Sequence, residues 1–110
     1  MMKVAMSPAA LRLLHALIGR ACVARDRILL TDWRSTDWQS LTFIGERHEL
    51  QLRISGAESM EVAKRLVTGL EDADLSIPGH VVADITVVDH PRPGGDGSTL
   101  IGLEALTIVD

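Results

Sequence analysis

The chain has 110 residues, of which 46% are hydrophobic and 24% charged, and it contains one cysteine. This length and balance are typical of one globular domain with its own hydrophobic core, and a single cysteine excludes an intrachain disulfide framework. The formal net charge of -4 argues against broad nucleic-acid binding, because an acidic body repels a phosphate backbone. We therefore expect one soluble domain over residues 1–110.

The N-terminal segment is basic and amphipathic. Residues 1–25 carry four basic residues and no acid. A secretory signal requires an unbroken apolar stretch, which Arg12, His15 and Arg20 interrupt, although a mitochondrial-type presequence has a similar composition. An ordinary first helix explains the same pattern, and no apolar run is long enough to span a membrane. The sequence therefore predicts a cytoplasmic protein without a membrane partner.

The first predicted helix covers about residues 8–24. Ser7 can cap its free amides, and Pro8 suits its first turn. Apolar residues then recur at helical spacing along one arc, namely Leu11, Leu14, Leu17, Ile18, Ala21 and Cys22. Within this arc we expect Cys22 to be a small buried hydrophobe, with a reactive thiolate near Arg20 and Arg25 as the alternative.

Three short strands are predicted next, joined as an antiparallel meander. They cover residues 27–33, 38–44 and 48–54, with polar turns over residues 34–37 and 45–47. The third strand has the clearest pattern, because Leu50, Leu52 and Ile54 alternate with polar residues. This alternation predicts one face in the core and one face in water.

A second helix and two further strands complete the predicted fold. The helix begins with a capping box formed by Ser55 and Glu58, and it ends near residue 73, ahead of Pro78. Strands follow over residues 80–89 and 100–109, around a glycine-rich loop. The order α-β-β-β-α-β-β predicts an α+β two-layer sandwich, with a mostly antiparallel five-stranded sheet and two amphipathic helices on one face.

Two Asp-Trp pairs are the most distinctive local motif. Asp32-Trp33 and Asp37-Trp38 flank the predicted turn, so a hairpin would bring the two indoles together across the strands. Such a surface could stack on a sugar, a base or a peptide, with the carboxylates adding polar contacts. The pair would also stabilise the hairpin without any ligand, by about 0.5–1.5 kcal/mol. We favour this structural interpretation, and no catalytic residue is assigned because no base or nucleophile stands at motif spacing.

His48, His80 and Asp84 are the other candidate ligand-binding residues. Along one strand, His80, Asp84 and His90 would be about 13 and 20 Å apart, whereas zinc ligands lie within about 2.3 Å of the ion. The chain contains no zinc-binding motif, and three aromatic residues are too few for a stacked-ring cofactor cage. We therefore expect neither a metal nor a cofactor.

The last two predicted strands are apolar on both faces, which normally means that both faces are covered. In the first of them, strict alternation places Val81, Ala83, Ile85 and Val87 on one face and Val82 and Val88 on the other. Two helices can cover only one side of a five-stranded sheet. The sequence therefore predicts a homodimer, formed through the far face or through a sheet edge. The alternative is a monomer whose first helix crosses to the far face.

Two classes of function remain open, and the sequence does not decide between them. We favour a small non-catalytic module that binds a partner or assembles with itself. The alternative is a small enzyme or small-molecule-binding protein, with His48, His80 or Asp84 in a pocket between the sheet and the helices. A concave pocket with two or more convergent titratable groups would favour the alternative.

Overall fold

The computed structural model describes residues 6–110, and its largest element is a five-stranded antiparallel sheet. The elements in chain order are α1 (Pro8–Ala21), β1 (Ile28–Gln39), β2 (Ile44–Ile54), α2 (Ser59–Val67), β3 (Ser76–Ile77), β4 (His80–Pro93) and β5 (Thr99–Val109). The strands lie side by side in the order β1-β2-β5-β4-β3. The predicted α+β fold with two helices and five antiparallel strands is confirmed. The first residues of the basic N-terminal segment lie outside the described residues.

Both helices pack on the same face of the sheet. One buried cluster joins Leu13 and Leu17 of α1 to Leu66 of α2 and to Leu50 and Leu52 of β2. We call this side the helix-covered face and the opposite side the open face. The helix α1 therefore does not cross to the open face. Within residues 6–110, no helix is both long and apolar enough to cross a lipid bilayer.

The first two predicted strands are one continuous strand, β1, and the predicted turn over residues 34–37 lies inside it. Trp33 pairs opposite Leu50 on the helix-covered face, whereas Trp38 pairs opposite Gly45 on the open face. The predicted cross-strand pair of indoles is therefore wrong. Polar residues in this segment do not mark a turn because β1 is an edge strand whose side chains are mostly exposed. The real turn follows at residues 40–43, where the Ser40 amide donates to the Phe43 carbonyl.

Strict alternation along β4 fails because the strand is bulged. A register shift between Val82 and Asp84 leaves Ala83 unpaired, so Val82 and Ile85 both face the helices and Asp84 lies on the open face. The predicted faces of Val82 and of Val81, which lies on the open face opposite Ile108, are therefore exchanged. Strict alternation would also place His80 and Asp84 on one face, but they lie on opposite faces because of the same bulge.

Both helices are shorter than predicted because a residue in the left-handed conformation ends or precedes each one. Cys22 follows α1 with φ 56°, its amide donates to the Gly19 carbonyl, and its side chain is exposed instead of buried. Glu58 precedes α2 with φ 59° and makes no side-chain cap. The predicted capping box with Ser55 is therefore absent, and α2 begins at Ser59.

The C-terminal ends of the two helices are linked by arginines. The Arg20 guanidinium on α1 donates to the Leu66 and Thr68 carbonyls, at 2.9 and 2.6 Å. In return, Arg65 on α2 donates to the Ala21 carbonyl, at 2.9 and 3.3 Å. The last carbonyls of a helix lack partners within the helix, and a cation there interacts favourably with the helix dipole. These contacts fix the two helices to each other above the sheet.

Candidate functional site

The structure brings three of the seven predicted site residues together and separates the others. We call the end of the sheet that carries the β1–β2 turn the hairpin end. All three lie on the helix-covered face near this end: Asp37 and His80 line one cavity, and His48 lies 2.8 Å from Thr107, another residue of its lining. The remaining four lie elsewhere: Trp33 on the helix-covered face at the β1 edge, and Asp32, Trp38 and Asp84 on the open face.

A cavity of about 200 Å³ occupies the hairpin end. Its walls come from β1, β2, β4 and β5, and the lining residues are Asp37, Ile44, Gly45, Glu46, His80, Thr107 and Val109. Asp37 and Glu46 stand directly opposite each other on adjacent strands, an arrangement that is unfavourable for two like charges. Among the described residues, neither carboxylate forms an ion pair. The cavity therefore has an acidic wall beside the His80 imidazole.

A chain of hydrogen bonds runs beneath this cavity. The His48 imidazole is fully buried, with Nδ1 2.8 Å from Ser35 Oγ and Nε2 2.8 Å from Thr107 Oγ1. Burial lowers the pKa of His48 from its ordinary value of 6.5; nearby Glu46 opposes this shift, and His80 adds to it. A neutral imidazole has one donor and one acceptor, so one hydroxyl accepts from the ring and the other donates to it. Thr107 connects this buried chain to the cavity wall.

The contact between Ser35 and His48 resembles a nucleophile beside its general base, but the rest of the site does not support catalysis. An activated serine requires a base that a third group orients, usually a carboxylate, together with donors for the developing oxyanion. The partner of the second ring nitrogen is Thr107, a hydroxyl. The simplest interpretation is that these hydrogen bonds satisfy a histidine that the fold has buried.

Sequence reasoning missed Ser35 and Thr107 as partners of His48. They are 13 and 59 residues away along the chain, and the predicted turn over residues 34–37 concealed Ser35. One signal was present, because His48 extends the alternation of Leu50, Leu52 and Ile54 by one step. That alternation predicts that His48 faces the core.

A second concavity lies along the edge of the sheet. This groove of about 350 Å³ is lined by Asp32, Trp33, Arg34, Glu49 and Gln51. The Arg34 guanidinium lies 3.8 Å from the Glu49 carboxylate, and both side chains are more than half exposed. Such an exposed pair contributes little to stability, because solvent screens it. The groove is a solvated surface lined by exposed charged side chains instead of a closed pocket.

The open face carries charged residues beside the apolar ones that alternation predicted. The middle of this face carries charged residues, including Arg47 and Glu104, whose guanidinium and carboxylate groups lie 2.9 Å apart. Apolar residues lie at both ends of this face: Leu29 and Leu100 at the far end, and Trp38, Ile108 and Val81 in one row across the sheet at the hairpin end. Gly45 completes that row, and a Cβ atom there would overlap the Thr107 carbonyl oxygen.

The described residues contain no group of three His, Cys, Asp or Glu side chains that could hold a metal ion. Comparison with known proteins gives no assignment either. No protein-family model matches the chain, and no curated protein matches it significantly.

Proposed function

We propose that this protein is a non-catalytic self-assembly module that forms a homodimer through the edge of its sheet. The observation that carries the proposal is the unpaired outer edge of β1. This strand is 12 residues long, and within residues 6–110 it has a neighbour, β2, on one side only. Leu29 and Trp33 on the same strand are 59% and 38% exposed. A long exposed edge with apolar side chains is a template for pairing with another strand.

The opposite edge of the sheet is less suited to pairing. β3 contains only two residues, so most of β4 has no strand partner on its outer side among the described residues. However, β4 has three register shifts and two prolines, and its Val87 amide donates to the Glu71 carboxylate. Bulges, prolines and covering groups are the usual means of preventing edge pairing.

Stacking of two open faces is disfavoured by their charges. A face-to-face dimer would bury the pair of Arg47 with Glu104 and the charges around it. Removal of ion pairs from water costs free energy that their mutual attraction often fails to recover. Pairing along β1 leaves these groups in solvent.

The proposal is tested by measuring the mass of the whole chain in solution. Light scattering at micromolar concentration should give about 24 kDa, twice the 11.9 kDa of one chain, with dissociation on dilution. A mass of 11.9 kDa throughout the dilution series would contradict the proposal.

A second candidate function is binding of a small cationic ligand at the hairpin end. It is favoured by one observation: Asp37, Glu46 and His80 converge on a cavity whose other walls include Ile44 and Val109. A protonated amine would relieve the repulsion between the two carboxylates, and its alkyl part would contact the two apolar side chains.

Titration with a short alkylamine, followed through the methyl signals of Ile44 and Val109, tests this second function. We expect saturable shifts in the native chain and none after Asp37→Asn with Glu46→Gln. Linear, non-saturating shifts in both proteins would exclude the site.

We also propose a cytoplasmic location and no nucleic-acid partner. The lone cysteine, Cys22, is exposed and unpaired, which suits a reducing compartment, and the net charge of -4 disfavours contact with phosphate backbones.

A further inference from the structure

We infer that two copies pair antiparallel along β1 about a twofold axis through Trp33, so that their sheets join into one. This inference rests on the proposed self-association and assigns its register. It starts from the faces of β1: Trp33 lies on the helix-covered face, and Asp32 and Arg34 lie on the open face.

Symmetry limits the possible registers. A twofold axis that relates two antiparallel edge strands is perpendicular to the sheet, so the helix-covered faces of both copies point the same way. Directly opposed residues in an antiparallel pair also share a face. A residue of one copy must therefore oppose a residue from the same face of the other copy. Since neighbouring residues of a strand lie on opposite faces, the residue at the twofold axis must oppose its own copy and not the residue next to it in the sequence.

Charge selects between the two registers that use nearly the whole strand. The midpoint of β1 falls between Trp33 and Arg34. An axis through Arg34 would place two guanidinium groups directly opposite each other, which is unfavourable. An axis through Trp33 places Asp32 of each copy opposite Arg34 of the other and brings the two indoles together at the centre. Charges that usually protect an edge strand are complementary in this register.

This register requires that the side chains of Asp32 and Arg34 can reach the other copy at the edge of the sheet. In the part of the chain that the structure describes, Arg34 forms one ion pair, an exposed contact with Glu49 at 3.8 Å, and its side chain is 75% exposed. Asp32 is exposed and has no ion pair among the described residues. Both residues line the solvated groove at the edge, so pairing would require little rearrangement.

The bulge in β1 is compatible with this register. The register with β2 shifts between Leu30 and Asp32, which leaves Thr31 outside the regular alternation. If Thr31 also stays unpaired between the two copies, Leu29 of one copy lies opposite Thr36 of the other. Both residues belong to the open face. The exposed Leu29 side chain thereby gains a neighbour.

Charge reversal tests the register directly. In the Asp32→Arg homodimer two arginines oppose each other at each site, and in the Arg34→Asp homodimer two aspartates do. We expect each variant to dissociate at a concentration at least about tenfold higher than the native chain. An equimolar mixture of the two variants should restore association, because every opposed pair in the heterodimer is then complementary. Asp84→Arg, an exposed change on the open face of β4, is the control that should leave the mass unchanged.

The possible outcomes separate the register from the proposed function. A monomeric native chain overturns both. A dimeric native chain whose charge-reversed variants remain dimeric, or fail to associate when mixed, overturns the register and leaves self-association standing. A second test does not depend on charge: in a Cys22→Ser background, Trp33→Cys should oxidise to a covalent dimer and Ser35→Cys should not, because only residue 33 meets its own copy at the axis. Equal cross-linking of the two variants would also overturn the register.

Discussion

Replacement of the Thr107 hydroxyl tests whether the buried hydrogen-bond chain holds the hairpin end together. Thr107 and His48 are both fully buried on the helix-covered face, and Thr107 Oγ1 lies 2.8 Å from His48 Nε2. Thr107→Val keeps the branched shape and replaces the hydroxyl with a methyl group. The imidazole then retains Ser35 as its partner and has an unpaired ring nitrogen, away from solvent.

The expected cost follows from that unpaired nitrogen. A buried polar group without a partner costs about 1–3 kcal/mol, which exceeds the small gain from burying one extra methyl group. Thr99→Val is a matched control, because Thr99 is also buried on the same face of β5. Its partner, the Ser59 hydroxyl, lies 2.8 Å from the Gly97 carbonyl as well and keeps that acceptor. We therefore expect Thr99→Val to cost less than Thr107→Val.

Equilibrium urea unfolding at a single protein concentration measures both values, since self-association makes stability depend on concentration. A second variant, His48→Leu, completes a double-mutant cycle. The combined loss in His48→Leu with Thr107→Val should be smaller than the sum of the single losses, because the double variant leaves no unpaired nitrogen. Equal costs for Thr107→Val and Thr99→Val, or strict additivity in the cycle, would show that the His48 imidazole does not depend on the Thr107 hydroxyl.

Three further predictions concern the core, the buried histidine and a glycine. Leu52→Ala should lower the free energy of unfolding by about 2–5 kcal/mol, because Leu52 is 1% exposed on the helix-covered face of β2; an unchanged urea midpoint would contradict its placement. Burial lowers the pKa of His48 in the folded chain below 6.5, so the unfolded chain binds a proton first as the pH falls. The free energy of unfolding should therefore fall as the pH drops below about 6.5, by at most about 1.4 kcal/mol per pH unit for this group. Urea midpoints from pH 7.5 to 5 should fall less in His48→Gln than in the exposed control His90→Gln. Gly45→Ala should destabilise the pairing of β2 with β5, because its Cβ would overlap the Thr107 carbonyl, whereas Gly19→Ala, where a Cβ meets open space, should be neutral or stabilising by thermal unfolding.

Sequence periodicity correctly predicted those elements that have one face in the core and the other face in water. β2 has one face in the core and one in water, so the alternation of Leu50, Leu52 and Ile54 located the core correctly. β1 lies at the edge and is mostly exposed, so its composition resembles that of a turn. In β4 the bulge at Ala83 exchanges the two faces, and nothing in a strict period of two predicts where an extra residue falls.

The candidate site was less predictable because its contacts are distant in the chain. Ser35, His48 and Thr107 come from three different strands and meet only after the sheet forms. The arginines that join the two helix ends act over 44 to 48 residues. Side-chain partners of this kind depend on strand order and register, which composition and periodicity do not determine.

Hydrogen exchange along β1 as a function of protein concentration tests the proposed edge pairing most directly. In a monomer, the β1 amides that point away from β2 have no strand partner within residues 6–110, so we expect them to exchange within short labelling times. Edge pairing predicts that these amides become protected at concentrations where the dimer forms, while amides of β5, already paired on both sides, change little at the same labelling times. Fast exchange of the outer β1 amides at every concentration would contradict it.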